Sequence, residues 1–209
     1  MRWNLRNVLG LLLGLCILYI FGVLSLYVLI NSILFKLEKT AKYSLQTSAY
    51  LEELSISLPA DQELKAILFK PRVAPRGVVL LLHGAQGNLE KYQDRSLQFL
   101  SRGYEVLLPD YRGFGKSKGS VSESSLMEDA HACMDWLSKR YREDSIFVYA
   151  MDFLCPAACY VNSLLPCRTM VLENPVYSLR NWVRDRYPVF ILPYELKYDF
   201  NTYEYLPSC

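Results

Sequence analysis

Few side chains in this chain can do acid–base chemistry, and most of them sit where a strand gives way to a loop. His83 and His131 are the only histidines in 209 residues. General-base catalysis near neutral pH would therefore run through one of them or through a carboxylate. The carboxylate candidates are Asp110, Asp129, Asp152, Glu173 and Asp199. Asp110 and Arg112 fall in Pro109-Asp110-Tyr111-Arg112-Gly113-Phe114-Gly115-Lys116-Ser117-Lys118-Gly119. At a strand end, a salt bridge or turn hydrogen bond is the first reading for that pair. Gly113 and Gly115 with Lys116 could cradle a phosphate, but Gly-x-Gly alone is a weak signal and P-loop spacing is absent. The cysteines are Cys16, Cys133, Cys155, Cys159, Cys167 and Cys209, with no Cys-x-x-Cys pair and no histidine beside any of them. Cys155 and Cys159 have helical spacing. Neither a metal site nor another cofactor is expected, and the thiols read as small buried apolar groups.

The elements that must position these residues alternate. Leu54–Leu58 and Leu64–Phe69, separated by Pro59-Ala60-Asp61-Gln62, read as an antiparallel hairpin. Val78–Leu82 is a continuous apolar run, as for a strand buried on both faces, and it runs into His83-Gly84. Tyr92–Arg102 reads as an amphipathic helix closed by Gly103, and Tyr104–Leu108 as the next strand. Glu123–Tyr141 is the clearest helix: Leu126, Ala130, Cys133, Leu137 and Tyr141 form one apolar stripe. Asp129 edges that stripe and could cap a neighbouring loop. His131 lies about 140° from Leu126 and faces solvent on this reading. Strand Ser145–Tyr149, a short helix after Pro156, strand Thr169–Leu172 and a helix at Leu179–Arg186 complete the order. Such alternation implies a largely parallel sheet with helices on both faces. Phe35–Leu51 reads as a polar, partly helical connector.

Composition adds an anchor. Apolar residues make up 52% of the chain, and the excess sits in Val8–Ile30, which holds no charge. At about 1.5 Å per residue that run spans roughly 30 Å of hydrocarbon. Arg2 and Arg6 flank one end and Lys36, Lys39 and Lys42 the other, so the charge balance leaves orientation open. Trp3, Tyr19 and Tyr27 suit membrane interfaces. The run exceeds a signal-peptide core and no small-x-small site follows it closely, so a single-pass membrane anchor is expected. The lipid bilayer is thus one expected partner, through residues 8–30. A net charge of +2 with no basic stripe argues against nucleic acid. The expected organisation is an anchor over residues 1–35, a connector over 36–52 and a domain over 53–209.

The order His83-Gly84, Pro109–Gly119, Glu123–Leu137 and Val171-Leu172-Glu173-Asn174-Pro175 resembles the α/β-hydrolase family, in particular its membrane-anchored serine-hydrolase branch. The resemblance covers roughly Glu53–Cys209, and Pro109–Gly119 is its most specific part. It implies an α/β fold with a mostly parallel sheet flanked by helices, and a Ser…Asp/Glu…His triad in that chain order. On the same resemblance the nucleophile position falls on Asp152. Backbone N–H groups of Ala85 and Phe153 would form the oxyanion hole, with His83 and Gly84 ordering the loop.

Three departures shape the functional expectation. The family's Gly-x-Ser-x-Gly elbow is replaced by Ala150-Met151-Asp152-Phe153-Leu154, so serine is absent. Without the flanking glycines, and with branched Leu154 in place of one, the turn is expected to be relaxed rather than strained. The acid and the base histidine of the family follow the segment that resembles Asn174–Cys209, which implies a C-terminally truncated, incomplete fold. The expectation is a catalytically impaired homologue acting as a binding or scaffold protein, or a remnant. The alternative is an active hydrolase of ester, amide or halide substrates with Asp152 as nucleophile, since a carboxylate can form an ester that activated water then hydrolyses. Cys155 is a weaker candidate nucleophile. A further partner is expected to be either a small apolar ligand or a protein at the sheet edge left by Thr169–Leu172. The aromatic tail (Trp182, Tyr187, Phe190, Tyr194, Tyr198, Phe200, Tyr203, Tyr205) reads as a packed lid, with a pocket lining or a bilayer contact as alternatives.

Overall fold

The computed structural model describes residues 4–40, 42–45, 50–188 and 198–206. Arg2, Trp3, Phe190, Tyr194 and Cys209, named above, lie outside the described residues. Helix α1 (Leu5–Leu34) carries the apolar run. Its segment Leu5–Leu29 is long and apolar enough to cross a membrane, and no residue of its most apolar 18-residue window is buried in the domain core.

Strands β1 (Tyr50–Leu58), β2 (Gln62–Lys70), β3 (Val78–Leu82), β4 (Glu105–Asp110), β5 (Ile146–Met151) and β6 (Thr169–Glu173) form one six-stranded sheet in the order β1-β2-β4-β3-β5-β6. The β1–β2 hairpin is antiparallel and pairs antiparallel to β4, whereas β4, β3, β5 and β6 run parallel. The C-terminal ends of those four strands therefore share one edge, and each of them opens into one of the loops singled out from sequence. Every residue of β3 is buried, because helices cover both of its faces. Strand β6 pairs on one side with β5 and closes the sheet order among the described residues.

Helix α2 (Gln93–Leu100) follows a short 3-10 turn at Leu89–Tyr92 and packs on one face of the sheet. Helices α3 (Glu123–Ser138), α4 (Cys155–Leu164) and α5 (Leu179–Arg186) pack on the other. Ser122 caps α3 through a reciprocal pair of hydrogen bonds with Ser125. The predicted stripe is the buried one: Leu126, Ala130, Cys133 and Leu137 face the core. The alternate strand residues divide between the two faces, Leu107 joining the α3/α4 core while Val106 and Leu108 join the α2 core.

The connector corrects its sequence reading. Described residues 36–45 contain no helix. Instead Lys36–Leu37 pairs in parallel with Gln86–Gly87, and Lys39 bridges to Gly115. The backbone donors and acceptors of this stretch find partners in two loops of the domain rather than in a helical ladder. A final short helix, α6 (Thr202–Tyr205), packs on α4.

Candidate active site

The site is built on the shared C-terminal edge of β3, β4, β5 and β6. Asp152 stands directly after β5 and before α4, at the turn where the chain reverses into the helix. Its backbone has φ +52°, in the left-handed region that costs an L-residue about 1 kcal/mol or more. The expected relaxation of this turn is thus overturned. Ala150 and Leu154 are both fully buried, so packing of the turn's flanks into the core holds the tight geometry without glycine. Pro156 is accommodated in the first turn of α4, where no N–H is required.

The Asp152 carboxylate has two neighbours. Asn174, after β6, donates from Nδ2 to Oδ1 at 2.7 Å and itself has φ +52°. Oδ2 lies against Gly84: a Cβ there would fall 2.8 Å from Oδ2 and 3.1 Å from the Tyr92 hydroxyl. Only glycine lets this backbone approach the carboxylate so closely. Burial, and then the Asp152 charge, push the Tyr92 phenol up to about 12. Tyr92 therefore stays a donor, to the carbonyls of Gly84 and Gln86.

His83 is fully buried and makes no contact with the elbow carboxylate. Its Nδ1 pairs with the Gly84 carbonyl at 2.8 Å. The ring stacks on Tyr92 at 4.6 Å and leans on Tyr111 at 4.5 Å. Nε2 has no hydrogen-bond partner of good geometry, the Pro109 carbonyl being the polar group it faces. Burial lowers the imidazole's pKa, against the pull of Asp110, so the ring is neutral. His131 is half-buried in α3 and lines a groove of about 1070 Å³ with Glu123, Met127, Tyr160 and Tyr198.

Asp110 and Arg112, taken together in the sequence, separate. Asp110 is fully buried and accepts from Tyr43 Oη at 2.6 Å, Leu89 N at 2.9 Å and Lys116 N at 3.2 Å. Its carboxylate occupies the space a side chain at Gly115 would need, at φ +41°. Arg112 pairs instead with Asp129, which accepts from Arg112 N at 2.8 Å and Nε at 2.7 Å. Burial pushes Asp129 up to about 6, against the Arg112 contacts. Glu173 receives Arg95 at 3.0 Å and the Tyr149 hydroxyl. Asp199 lies by the N-terminus of α3, its N–H donating to Glu123. Cys155 is fully buried, its thiol directed at the carbonyls of Ala150 and Glu173. Burial, then Cys159 and Asp152, raise it to about 12, so it is a thiol and not an attacking thiolate.

Above the elbow, Phe153 meets Trp182 and Phe200 at 5.4 Å, and Phe35 meets Tyr198 at 5.7 Å and Phe200 at 6.1 Å. Of the two residues expected to donate to an oxyanion, Phe153 anchors this cluster and Ala85 accepts at its carbonyl from Lys36 N. Sequence reasoning missed three partners: Asn174 for Asp152, Tyr43 for Asp110, and the end of α1 in the aromatic cluster. Asn174 carried a usable signal, an asparagine before proline at a strand end. The other two carried none. Among the described residues no group of metal-ligating side chains is assembled.

Strand order, crossover helices and a strained strand–helix turn at the C-terminal edge define an α/β-hydrolase fold. The family model described as serine aminopeptidase, S33, matches residues 73–151. The lysophosphatidylserine lipase ABHD12 of Xenopus tropicalis is 31% identical over 112 residues, covering 49% of this chain and 28% of that protein. The chain thus spans well under half the length of this curated relative. An α/β hydrolase from Vibrio vulnificus superposes with a TM-score of 0.64 at 18% identity, over 76% of this chain and 59% of the other. The Pyrococcus furiosus esterase Pf2001 gives 0.60 at 21% identity, over 84% and 72%. These two are likenesses of fold. The chain thus has the α/β-hydrolase fold and, over residues 73–151, sequence similarity to that family.

Proposed function

We propose that this is a membrane-tethered α/β-hydrolase homologue that binds an apolar, lipid-like ligand at the elbow without serine-type turnover. Residues 1–35 would be a single-pass anchor, 36–52 a connector and 53–209 the hydrolase-like domain. The observation that carries the reading is the Asp152 carboxylate itself. It stands where the family's serine would stand, is held by Asn174 at 2.7 Å and lies against Gly84. Among the described residues neither histidine contacts it, so no imidazole is in place to activate a nucleophile or a water. Beside it, half-buried Trp182 rims an aromatic cluster whose other members, Phe35, Phe153 and Phe200, are buried, and a relative named for its action on a lysophospholipid makes a lipid-like ligand the natural class.

One observation favours a second reading, an aspartate-dependent hydrolase. Strained backbone at φ +52° is the kind of cost that persists at reacting residues. In that case Asp152 is the nucleophile, the N–H groups of Ala85 and Phe153 take the developing charge, and a base comes from outside the described contacts. The test is hydrolysis of short- and medium-chain esters by full-length protein in detergent, beside Asp152→Ala and Asp152→Ser. Lysophospholipid binding is followed in the same samples by quenching of intrinsic Trp fluorescence. Saturable binding with no turnover in any of the three supports the first reading. Wild-type turnover abolished by Asp152→Ala replaces it with the second.

A further inference from the structure

The end of α1 and the loop edge of the sheet are the same place. Leu26 touches the core, and Leu34 and Phe35 are 2% and 4% exposed within it. The next residues are pinned at once: Lys36 N donates to Ala85 O at 3.1 Å, Gly115 N to Glu38 O at 2.9 Å and Thr40 N to Gly115 O at 3.2 Å. Lys39 Nζ reaches Ser117 O at 2.8 Å. Between the end of the apolar stretch at Leu29 and buried Leu34 the helix rises only about 7.5 Å. There is no slack for the domain to swing away from whatever surrounds Leu29.

From this we infer that the loop edge bearing Asp152 rests on the bilayer surface, with the Tyr177–Tyr203 pair as a second contact in the headgroup layer. The inference rests on reading α1 as membrane-spanning. Tyr177 follows the C-terminal end of β6 and so belongs to the same edge as Asp152. It is 60% exposed, and its ring stacks on Tyr203 at 4.6 Å and 15°. An apolar ring with a hydroxyl tip suits the headgroup region better than either water or hydrocarbon. Leu37 and Leu206 add exposed apolar surface near the α1 exit and beside Tyr203. The tether and the tyrosine pair together give two contacts, which fix the tilt of the domain and not merely its distance from the membrane. Val73, between β2 and β3, lies at the opposite edge, beyond the roughly 16 Å length of β3.

Photocrosslinking tests this in the full-length chain, reconstituted in phosphatidylcholine nanodiscs. Three variants are compared: Tyr177→p-benzoylphenylalanine, Val73→p-benzoylphenylalanine and, within α1, Leu18→p-benzoylphenylalanine. Adducts are read by mass spectrometry. Lipid adducts from positions 18 and 177, with none from 73, are expected. Adducts from 18 alone, from all three, or from 177 to a second copy of the chain overturn the inference while leaving the anchor in place. No lipid adduct at 18 overturns the anchor reading beneath it.

Discussion

Replacing Gly115 by alanine tests the logic of the loop edge most severely. An ideal Cβ at this position falls 1.7 Å from Asp110 Oδ2, 2.3 Å from its Cγ and 2.7 Å from Oδ1. Ordinary contact begins near 3.4 Å, so the carboxylate or the loop must move by about 1.7 Å. The carboxylate cannot yield freely, because it is fully buried and holds Tyr43 Oη, Leu89 N and Lys116 N. Losing two such charge-assisted bonds costs about 3–6 kcal/mol, and a left-handed L-residue adds about 1–2 kcal/mol. The total of about 4–8 kcal/mol approaches the whole stability of an ordinary domain. For a chain of this size it corresponds to a melting temperature lower by roughly 10–30 °C, read by near-UV circular dichroism in detergent. Gly119→Ala is the control. Its φ of +96° carries similar strain, but its nearest neighbour is the Arg112 Cγ at 3.3 Å, which needs to give by only about a tenth of an ångström. Only about 1–2 kcal/mol is expected there. If the two variants melt within a few degrees of each other, the carboxylate does not occupy the space assigned to it and the reasoning fails.

Three further outcomes follow from single contacts. Tyr43→Phe removes a donor from buried Asp110 and should cost about 1.5–3 kcal/mol in urea unfolding; a loss below about 0.5 kcal/mol would mean the connector is not latched there. At the elbow, Asp152→Gly should be more stable than Asp152→Ala by about 1 kcal/mol, because both lose the Asn174 bond but only glycine accepts φ +52° without strain; equal melting would show a relaxed turn. His83 sets a pH dependence. Its pKa is lowered on folding, so below about 6.5 the unfolded chain takes up a proton that the buried ring refuses, and this contribution to stability falls with pH. Between pH 6.5 and 5.5 wild type should lose more stability than His83→Asn, whereas Asp129 and Glu123, shifted upward by burial, act alike in both proteins. Parallel pH profiles for the two proteins would show that the ring is solvated.

The elbow links stability to function. Asp152 holds a tight strand–helix turn between two buried flanks, Ala150 and Leu154, and on the function proposed above that turn presents a carboxylate. The strain is supported by a core that buries both flanks of the turn, so the geometry persists independently of any turnover it could serve.

The alternation of apolar runs and stripes in this sequence determines a great deal by itself. Val78–Leu82 had to be a strand covered on both faces, Leu126-Ala130-Cys133-Leu137 had to face a core, and Val8–Ile30 had no polar face to offer water. Those are local periodicities, and they need no partner to be read. The motif His83-Gly84 with Pro109–Gly119 was likewise legible, because close approaches and positive φ leave glycines in the text. What tertiary structure decided is who meets whom. Tyr43 reaches Asp110 across 67 positions, Lys39 reaches Ser117 across 78, and Asn174 reaches Asp152 across 22. The left-handed turn at Asp152 was likewise invisible, since the loss of its glycines argued for relaxation and only the packing of Ala150 and Leu154 enforces the strain. Hydrogen bonds between distant loops follow from how the sheet brings strand ends together, and no local propensity encodes that.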